Sequence, residues 1–249
     1  MTVDLLTVNI ASDTQAMGRI AAQKIAADIK AIAKKKPFVR MMFAAAPSQD
    51  TTLEALQKMN DIPWSQIIAF HMDEYVGIEK SQPQSFRNYL SKQLFDNKPF
   101  KEIHLIAGDA KDPQCEADRY EHLLREEPLD IVVLGIGENG HIAFNDPPDA
   151  DFEDERFVRI ITLSEKSRIQ QVHDGCFEKL DSVPKTAITV TIPAFLNANI
   201  LHCVVPNERK AEAVKQTLHG SISPSCPASV LRRHPQASLY LDTLSASLL

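Results

Sequence analysis

The stretch Ile131-Val-Val-Leu-Gly-Ile-Gly-Glu-Asn-Gly-His-Ile-Ala-Phe-Asn-Asp-Pro-Pro148 decides how the chain is read. Its first four residues are a short apolar run of the kind that forms a buried strand. Gly135, Gly137 and Gly140 follow at once, in a chain that has only 8 glycines. Glycine lets the backbone turn sharply and lets a ligand approach it closely. Next come His141, the amides Asn139 and Asn145, and the carboxylate Asp146. In open parallel sheets ligands bind beyond the C-terminal ends of the strands. A buried strand that runs into glycines and then ionisable side chains is therefore read as one edge of a site.

Working outward, further strands are read at 5–10, 38–44, 67–70, 103–106, 158–163, 187–192, 200–205 and 238–241. Helical segments lie between most of them. Met17, Ile20, Ala21, Ile25, Ile29 and Ile32 fall on one face at helical spacing. Lys34-Lys-Lys36 and Pro37 close that helix, since cations suit a helix C-terminus and proline cannot continue it. Ser12 with Gln15, and Ser81 with Gln84, have capping-box spacing. Asp112-Pro113 opens another helix, and 164–173 and 208–218 read as two more. Alternating short β runs and helices imply a mostly parallel sheet covered on both faces. No repeat or long linker interrupts the pattern, so residues 1–249 read as one domain.

The chain has 249 residues, 44% of them apolar, which is enough for one α/β domain with a large core. The formal net charge is −6 and no long basic run occurs, so nucleic acid is not an expected partner. The four cysteines (Cys115, Cys176, Cys203, Cys226) form no CxxC pair, which argues against structural zinc and a disulfide framework. Free thiols, an acidic N-terminus and no apolar run near the ~18 residues of a membrane span lead to the expectation of a soluble cytoplasmic protein.

Four segments leave strand ends with unusual chemistry: 45–50, 71–75, 135–146 and 206–210. A parallel sheet would put all four on one rim. Gly135-x-Gly-x-x-Gly140 matches the dinucleotide fingerprint as a string, but that fingerprint opens a helix, and Pro147-Pro148 rule out an ordinary long helix here. Nicotinamide and flavin are therefore not expected. Backbone amides of the turn, around Gly137, can still cradle an anion or a substrate oxygen. His141 reads either as a catalytic acid/base oriented by Asp146 or as a histidine that holds its loop. Asp73-Glu74 reads either as a solvated pair or, given Met72 and Tyr75 beside it, as a desolvated base; Asp73 is the candidate and Glu74 is open to a structural role. Lys210 lies at the start of a helix, where a bound anion would explain a cation. Ser48 is either a helix cap or a hydroxyl donor to the same anion. An anion anchor, a carboxylate and a histidine, with no metal cluster and no nucleophile–base pair, suit proton abstraction next to a carbonyl of a sugar-phosphate-like substrate.

Phe70-His-Met-Asp-Glu-Tyr-Val76, Leu134 to Pro147, and Val183-Pro-Lys-Thr-Ala-Ile-Thr-Val190 resemble the glucosamine-6-phosphate deaminase (isomerase) family over nearly the whole chain. The wider superfamily includes 6-phosphogluconolactonase. The resemblance implies a three-layer, Rossmann-like α/β fold with a mostly parallel central sheet, no cofactor, no metal, and a deaminase-like hydrolase/isomerase. It implies that glucosamine 6-phosphate becomes fructose 6-phosphate and ammonia. By position it makes Asp73 the base for C2–C1 proton transfer and His141 the ring-opening group. Asp146 falls where the family has a glutamate supporting that histidine, and Asn139 at a position that varies between aspartate and asparagine. Lys210 matches a phosphate-binding lysine.

Three positions depart from the family pattern. Asp146 is a methylene short. The phosphate loop reads Ala45-Ala-Pro-Ser48 without glycines. His173 falls where a phosphate-binding arginine is expected, which removes a bidentate contact. Two alternatives stand beside the deaminase: a 6-phosphogluconolactonase-type hydrolase and a catalytically silent sugar-phosphate-binding module. No membrane partner and no allosteric site are expected, and a homo-oligomer is left open.

Overall fold

A computed structural model describes residues 1–249. The elements are β1 (Thr2–Val3), β2 (Leu6–Ala11), α1 (Thr14–Ala33), β3 (Val39–Phe43), α2 (Asp50–Gln57), β4 (Ile67–His71), β5 (Asp73–Tyr75), α3 (Phe86–Gln93), β6 (Glu102–His104), α4 (Pro113–Glu126), β7 (Ile131–Leu134), β8 (Val158–Thr162), α5 (Glu165–His173), β9 (Thr186–Val190), α6 (Ile192–Leu196), β10 (Ile200–Val205), α7 (Ala211–His219) and β11 (Ala237–Asp242). An eight-stranded sheet has the order β1-β2-β11-β10-β7-β3-β4-β6. Only β1 runs antiparallel to its neighbour; the other pairings are parallel.

Strand β7 is apolar throughout, and β3, β4 and β10 are apolar but for Arg40, His71 and His202, because both faces are covered. Side chains alternate between faces along a strand, and the alternation divides the core in two. Met42, Val132 and Leu134 enter a 34-residue core with Tyr120 and Leu124 of α4 and Val214 and Leu218 of α7. Met41, Phe43, Ile131 and Val133 enter a 26-residue core with Ile25 and Ile29 of α1, Leu53 and Leu56 of α2, and Leu90 of α3. The layered α/β architecture expected from the sequence is the one observed.

Three local expectations are corrected. First, 158–163 and 187–192 do not extend the parallel sheet. β8 and β9 pair antiparallel with each other and with β5 in a separate three-stranded sheet. A short apolar run carries no sign of strand direction, so the sequence could not distinguish the two. Second, α1 is capped by Asp13, whose Oδ1 accepts from the Ala16 N–H at 2.7 Å, while Ser12 Oγ donates to the other Asp13 oxygen at 2.8 Å. Likewise α3 is capped by Ser85, not Ser81. In both cases the residue in extended conformation next to the first helical turn takes the capping role. Third, Ile20 is on the outer side of α1 and exposed, whereas Met17, Ala21, Ile25 and Ile29 are buried.

No helix opens after Gly140; the next begins at Glu165. The dinucleotide reading is thereby set aside on geometry as well as on sequence. The four cysteines are unpaired, and no helix is long and apolar enough to cross a membrane.

Candidate active site

Strands β10, β7, β3 and β4 are consecutive in the sheet and parallel. The four chemically unusual segments follow these four strands, so their convergence on one rim is a direct result of the strand order. They line a cavity of about 340 Å³ that includes Ser48, Asp73, Gly137, His141, His173, Arg209 and Lys210.

His141 is buried, 7% exposed. Its Nδ1 lies 2.6 Å from Asn139 Oδ1, 3.2 Å from Asp146 Oδ1 and 3.1 Å from Ser167 Oγ. Asn139 Nδ2 donates to Asp146 Oδ1 at 2.8 Å, and Ser167 Oγ donates to the same oxygen at 2.6 Å. These directions fix the amide: its nitrogen faces the carboxylate, so its oxygen faces His141 and accepts from Nδ1–H. Nε2 makes no protein hydrogen bond and is left with a lone pair. Its acceptor role follows from the bond made by the other nitrogen. The Gly137 backbone carries the ring. A Cβ at Gly137 would fall on the imidazole itself, so glycine is required there by close approach.

Burial pushes the Asp146 carboxyl up, but hydrogen bonding and charge from His141, with Ser167 and Asn139, outweigh it and hold the group well below the usual carboxylate range. Asp146 thus reaches His141 directly despite its short side chain. Asp146 Oδ2 is buried without a partner; all the bonding is on Oδ1.

Asp73 and Glu74 are adjacent and differ completely. Asp73 is the first residue of β5, opposite Thr189 of β9, and lines the cavity. Its carboxyl accepts no protein hydrogen bond, and burial, then the neighbouring Glu74 charge, pushes it well above the usual range. Glu74 is fully buried and faces the other way. It accepts from the backbone N–H groups of Tyr75, Phe86 and Arg87, from Ser85 Oγ and from Arg87 Nε. Burial raises Glu74 too, and these donors counter that effect. Glu74 holds the first turn of α3 to β5, and Arg87 is also tied to Asp109 and the Ile78 carbonyl. The structural reading of Glu74 is the one observed.

At the other end, Lys210 ends a 3-10 turn, Glu208–Lys210, that follows β10. Only 5% exposed, it makes no salt bridge or hydrogen bond through its ammonium group. Burial pushes Lys210 down, and the Asp174 and Glu138 charges partly restore it. An unpaired buried cation is costly, and an anion in the cavity would offset that cost. Ser48 lies in a 3-10 turn, Pro47–Gln49, and its Oγ accepts from Gln49 Nε2 at 3.1 Å while lining the cavity; the cap positions of that turn and of α2 are Ala46 and Gln49, not Ser48. His173, in the last turn of α5, is half-exposed and its Nδ1 lies 3.5 Å from Glu138 Oε2. Asn145 is structural: its Nδ2 donates to the carbonyls of Ile142 and Val190.

Sequence reading missed Ser167, Gln170 and Arg209. Ser167 completes the Asp146 cluster from α5, and Gln170 Oε1 accepts from the Glu138 N–H at 2.9 Å. No signal in the sequence marks either, since α5 is joined to the glycine turn only in three dimensions. Arg209 stands beside Lys210 in the sequence, but nothing local marks it as facing the cleft, where the structure places it. No group of three or more His, Cys, Asp and Glu side chains is placed to hold a metal ion.

Sheet order and rim define a doubly wound α/β protein with its cleft beyond the carboxyl ends of four central strands. A family model described as glucosamine-6-phosphate isomerases/6-phosphogluconolactonase matches residues 12–240, and the chain belongs to that family. It is 37% identical over 211 residues to a glucosamine-6-phosphate deaminase of Listeria welshimeri, covering 85% of this chain and 88% of that one. A solved monomeric glucosamine-6-phosphate deaminase superposes with a TM-score of 0.90 at 30% identity, over 98% of this chain and 100% of its own. A 6-phosphogluconolactonase from Trypanosoma cruzi superposes with a TM-score of 0.80 at 16% identity, over 100% of this chain and 98% of its own, and shares the fold. The two more similar proteins are named as deaminases, so the hydrolase half of the expected class has no support from them.

Proposed function

We propose that the chain converts glucosamine 6-phosphate to fructose 6-phosphate and ammonia without a cofactor. The observation that carries this reading is one cavity lined by a bare-Nε2 histidine, a desolvated carboxyl without hydrogen bonds and a buried unpaired lysine.

His141 Nε2 takes the proton of the anomeric hydroxyl and returns one to the ring oxygen as the C1–O5 bond breaks, giving the open-chain aldehyde. Asp73 then removes the C2 proton. The electron pair forms a C1=C2 double bond, and the C1 oxygen gains a proton. Asp73 returns its proton to C1, which leaves an iminium at C2. Water adds there and ammonia departs, so one water is consumed and the ketose phosphate remains. A carboxyl raised by burial is a stronger base once ionised, and such a base is worth about 10²–10⁴-fold in rate. Lys210 and Ser48 anchor the phosphate, and the Gly137 turn supports the sugar end. Asn139 and Asp146 keep the His141 proton on Nδ1.

The test is ammonia release from glucosamine 6-phosphate by the purified chain with no added cofactor, alongside hydrolysis of 6-phosphogluconolactone. Ammonia release that Asp73→Asn abolishes supports the reading. Lactone hydrolysis without ammonia release would assign the lactonase instead, and saturable binding of the sugar phosphate without turnover would assign a silent module.

A further inference from the structure

We infer that Arg209 is the second cation of the anion anchor, gripping the phosphate beside Lys210. The inference rests on the sugar-phosphate reading of this cavity and adds the residue that completes it. Lys210 and Arg209 are the only lysine and arginine that line the cavity, and they are consecutive in one 3-10 turn.

Charge counting shows why one cation is insufficient. Asp174 lines the same end, and its charge acts on Lys210. Lys210 against Asp174 and Glu138 leaves that end at −1; Arg209 brings it to neutral, so only the two cations together remove the net negative charge that would repel a phosphate. His173, the side chain at the position where the family resemblance expects an arginine, cannot make a bidentate fork.

Arg209 has the capacity. A guanidinium carries five N–H donors, and this one uses few of them. Its Nη1 donates to the His173 carbonyl at 3.3 Å, and its Nε lies 3.9 Å from Glu138 Oε1. The second contact is not a hydrogen bond, for Glu138 Oε1 is buried without a partner. Arg87, by contrast, has donors committed to Glu74, Asp109 and Ile78. Arg168 gives one nitrogen to the carbonyls of Leu180 and Val183, and it does not line the cavity. Arg209 is the guanidinium at this rim with free valence and a half-exposed, mobile-length side chain.

The experiment is calorimetric titration of the full chain with inorganic phosphate, comparing wild type, Arg209→Ala and Arg209→Lys, with KM for glucosamine 6-phosphate measured in parallel. A charge-assisted contact at a half-exposed site is expected to weaken phosphate binding about tenfold in Arg209→Ala, with a matching rise in KM and a smaller loss in Arg209→Lys. Phosphate binding by Arg209→Ala within twofold of wild type overturns the inference. If the wild type releases ammonia and Arg209→Ala keeps its KM, the inference alone fails. A wild type that neither binds phosphate nor releases ammonia takes down the inference and the reading beneath it together.

Discussion

Asp146 Oδ1 lies 3.2 Å from His141 Nδ1, so the short carboxylate reaches the imidazole without a bridging water. Asn139 is closer still, at 2.6 Å. The amide is the nearer acceptor and the carboxylate holds the amide. Asp146→Asn removes the charge that orients both, and an amide at 146 can donate into the cluster and turn the imidazole over. The expected loss in kcat/KM is about 10²–10⁴-fold, the range for an acid/base whose tautomer is disturbed. It is measured by ammonia release, with a melting curve to show that the fold survives. Near-wild-type turnover would remove Asp146 from the orienting role.

Two carboxylates of the site, Asp73 in the cavity and Asp146 behind His141, respond to pH in opposite directions. Asp73 has its folded-state pKa raised, so its protonated form suits the fold and its ionised form is penalised. Its contribution to stability is present below about pH 3.9 and lost as pH rises through the folded value. Asp146 is depressed, so its contribution is present above that pH and lost as pH falls. Asp73→Asn is therefore expected to be inactive yet more heat-stable than wild type at pH 8, with the difference shrinking toward pH 4. Melting temperatures of the pair across that interval decide it. A variant less stable at pH 8 would contradict the burial argument.

Gly137→Ala places a methyl where the His141 ring now lies. Forcing extra volume into a packed site costs roughly 1–3 kcal/mol, and the ring must leave its bonds to Asn139 and Asp146. Activity should fall at least as far as in Asp146→Asn, while chemical denaturation reads a loss of that size. A fully active Gly137→Ala would mean that the ring sits elsewhere in solution.

Arg87→Ala strips a fully buried carboxylate, Glu74, of its one cationic partner. Breaking a buried pair from one side costs about 3–5 kcal/mol because a charge is left uncompensated. Urea unfolding should show that loss. The double change Arg87→Met with Glu74→Gln should recover part of it, since the stranded charge is gone. Equal stability of Arg87→Ala and wild type would show that the backbone donors alone hold Glu74.

The sheet and its rim were legible because they depend on local runs. Ile131 to Leu134 is apolar in every position, and 38–44 in every position but Arg40, a pattern that a strand covered on both faces requires. The small sheet was not legible. Asp73 pairs with Thr189, and no local pattern records a partner so distant in the chain. The sequence places 71–75 beyond the end of a strand but does not show that Asp73 opens another, β5; its position on the rim follows from β4 alone. The Asp73/Glu74 choice was open in sequence, since two neighbouring carboxylates differ only in which face of β5 each occupies. Ser12 and Ser81 misled because capping-box spacing can recur one to four residues from the true cap. Ser167 gave no warning at all; it is one serine of a polar helix until α5 lies against the glycine turn.

The strand order β10-β7-β3-β4 interleaves the groups that follow those strands: Lys210, His141, Ser48 and Asp73. Neighbouring strands are about 4.8 Å apart, so the four strand ends from which these groups follow stand in a fixed row. The row has no symmetry. Each position of the row presents a different group, so under the proposed function a sugar phosphate turned end for end would meet Asp73 where it now meets Lys210. The cleft is in that sense polar, and the polarity comes from strand order alone.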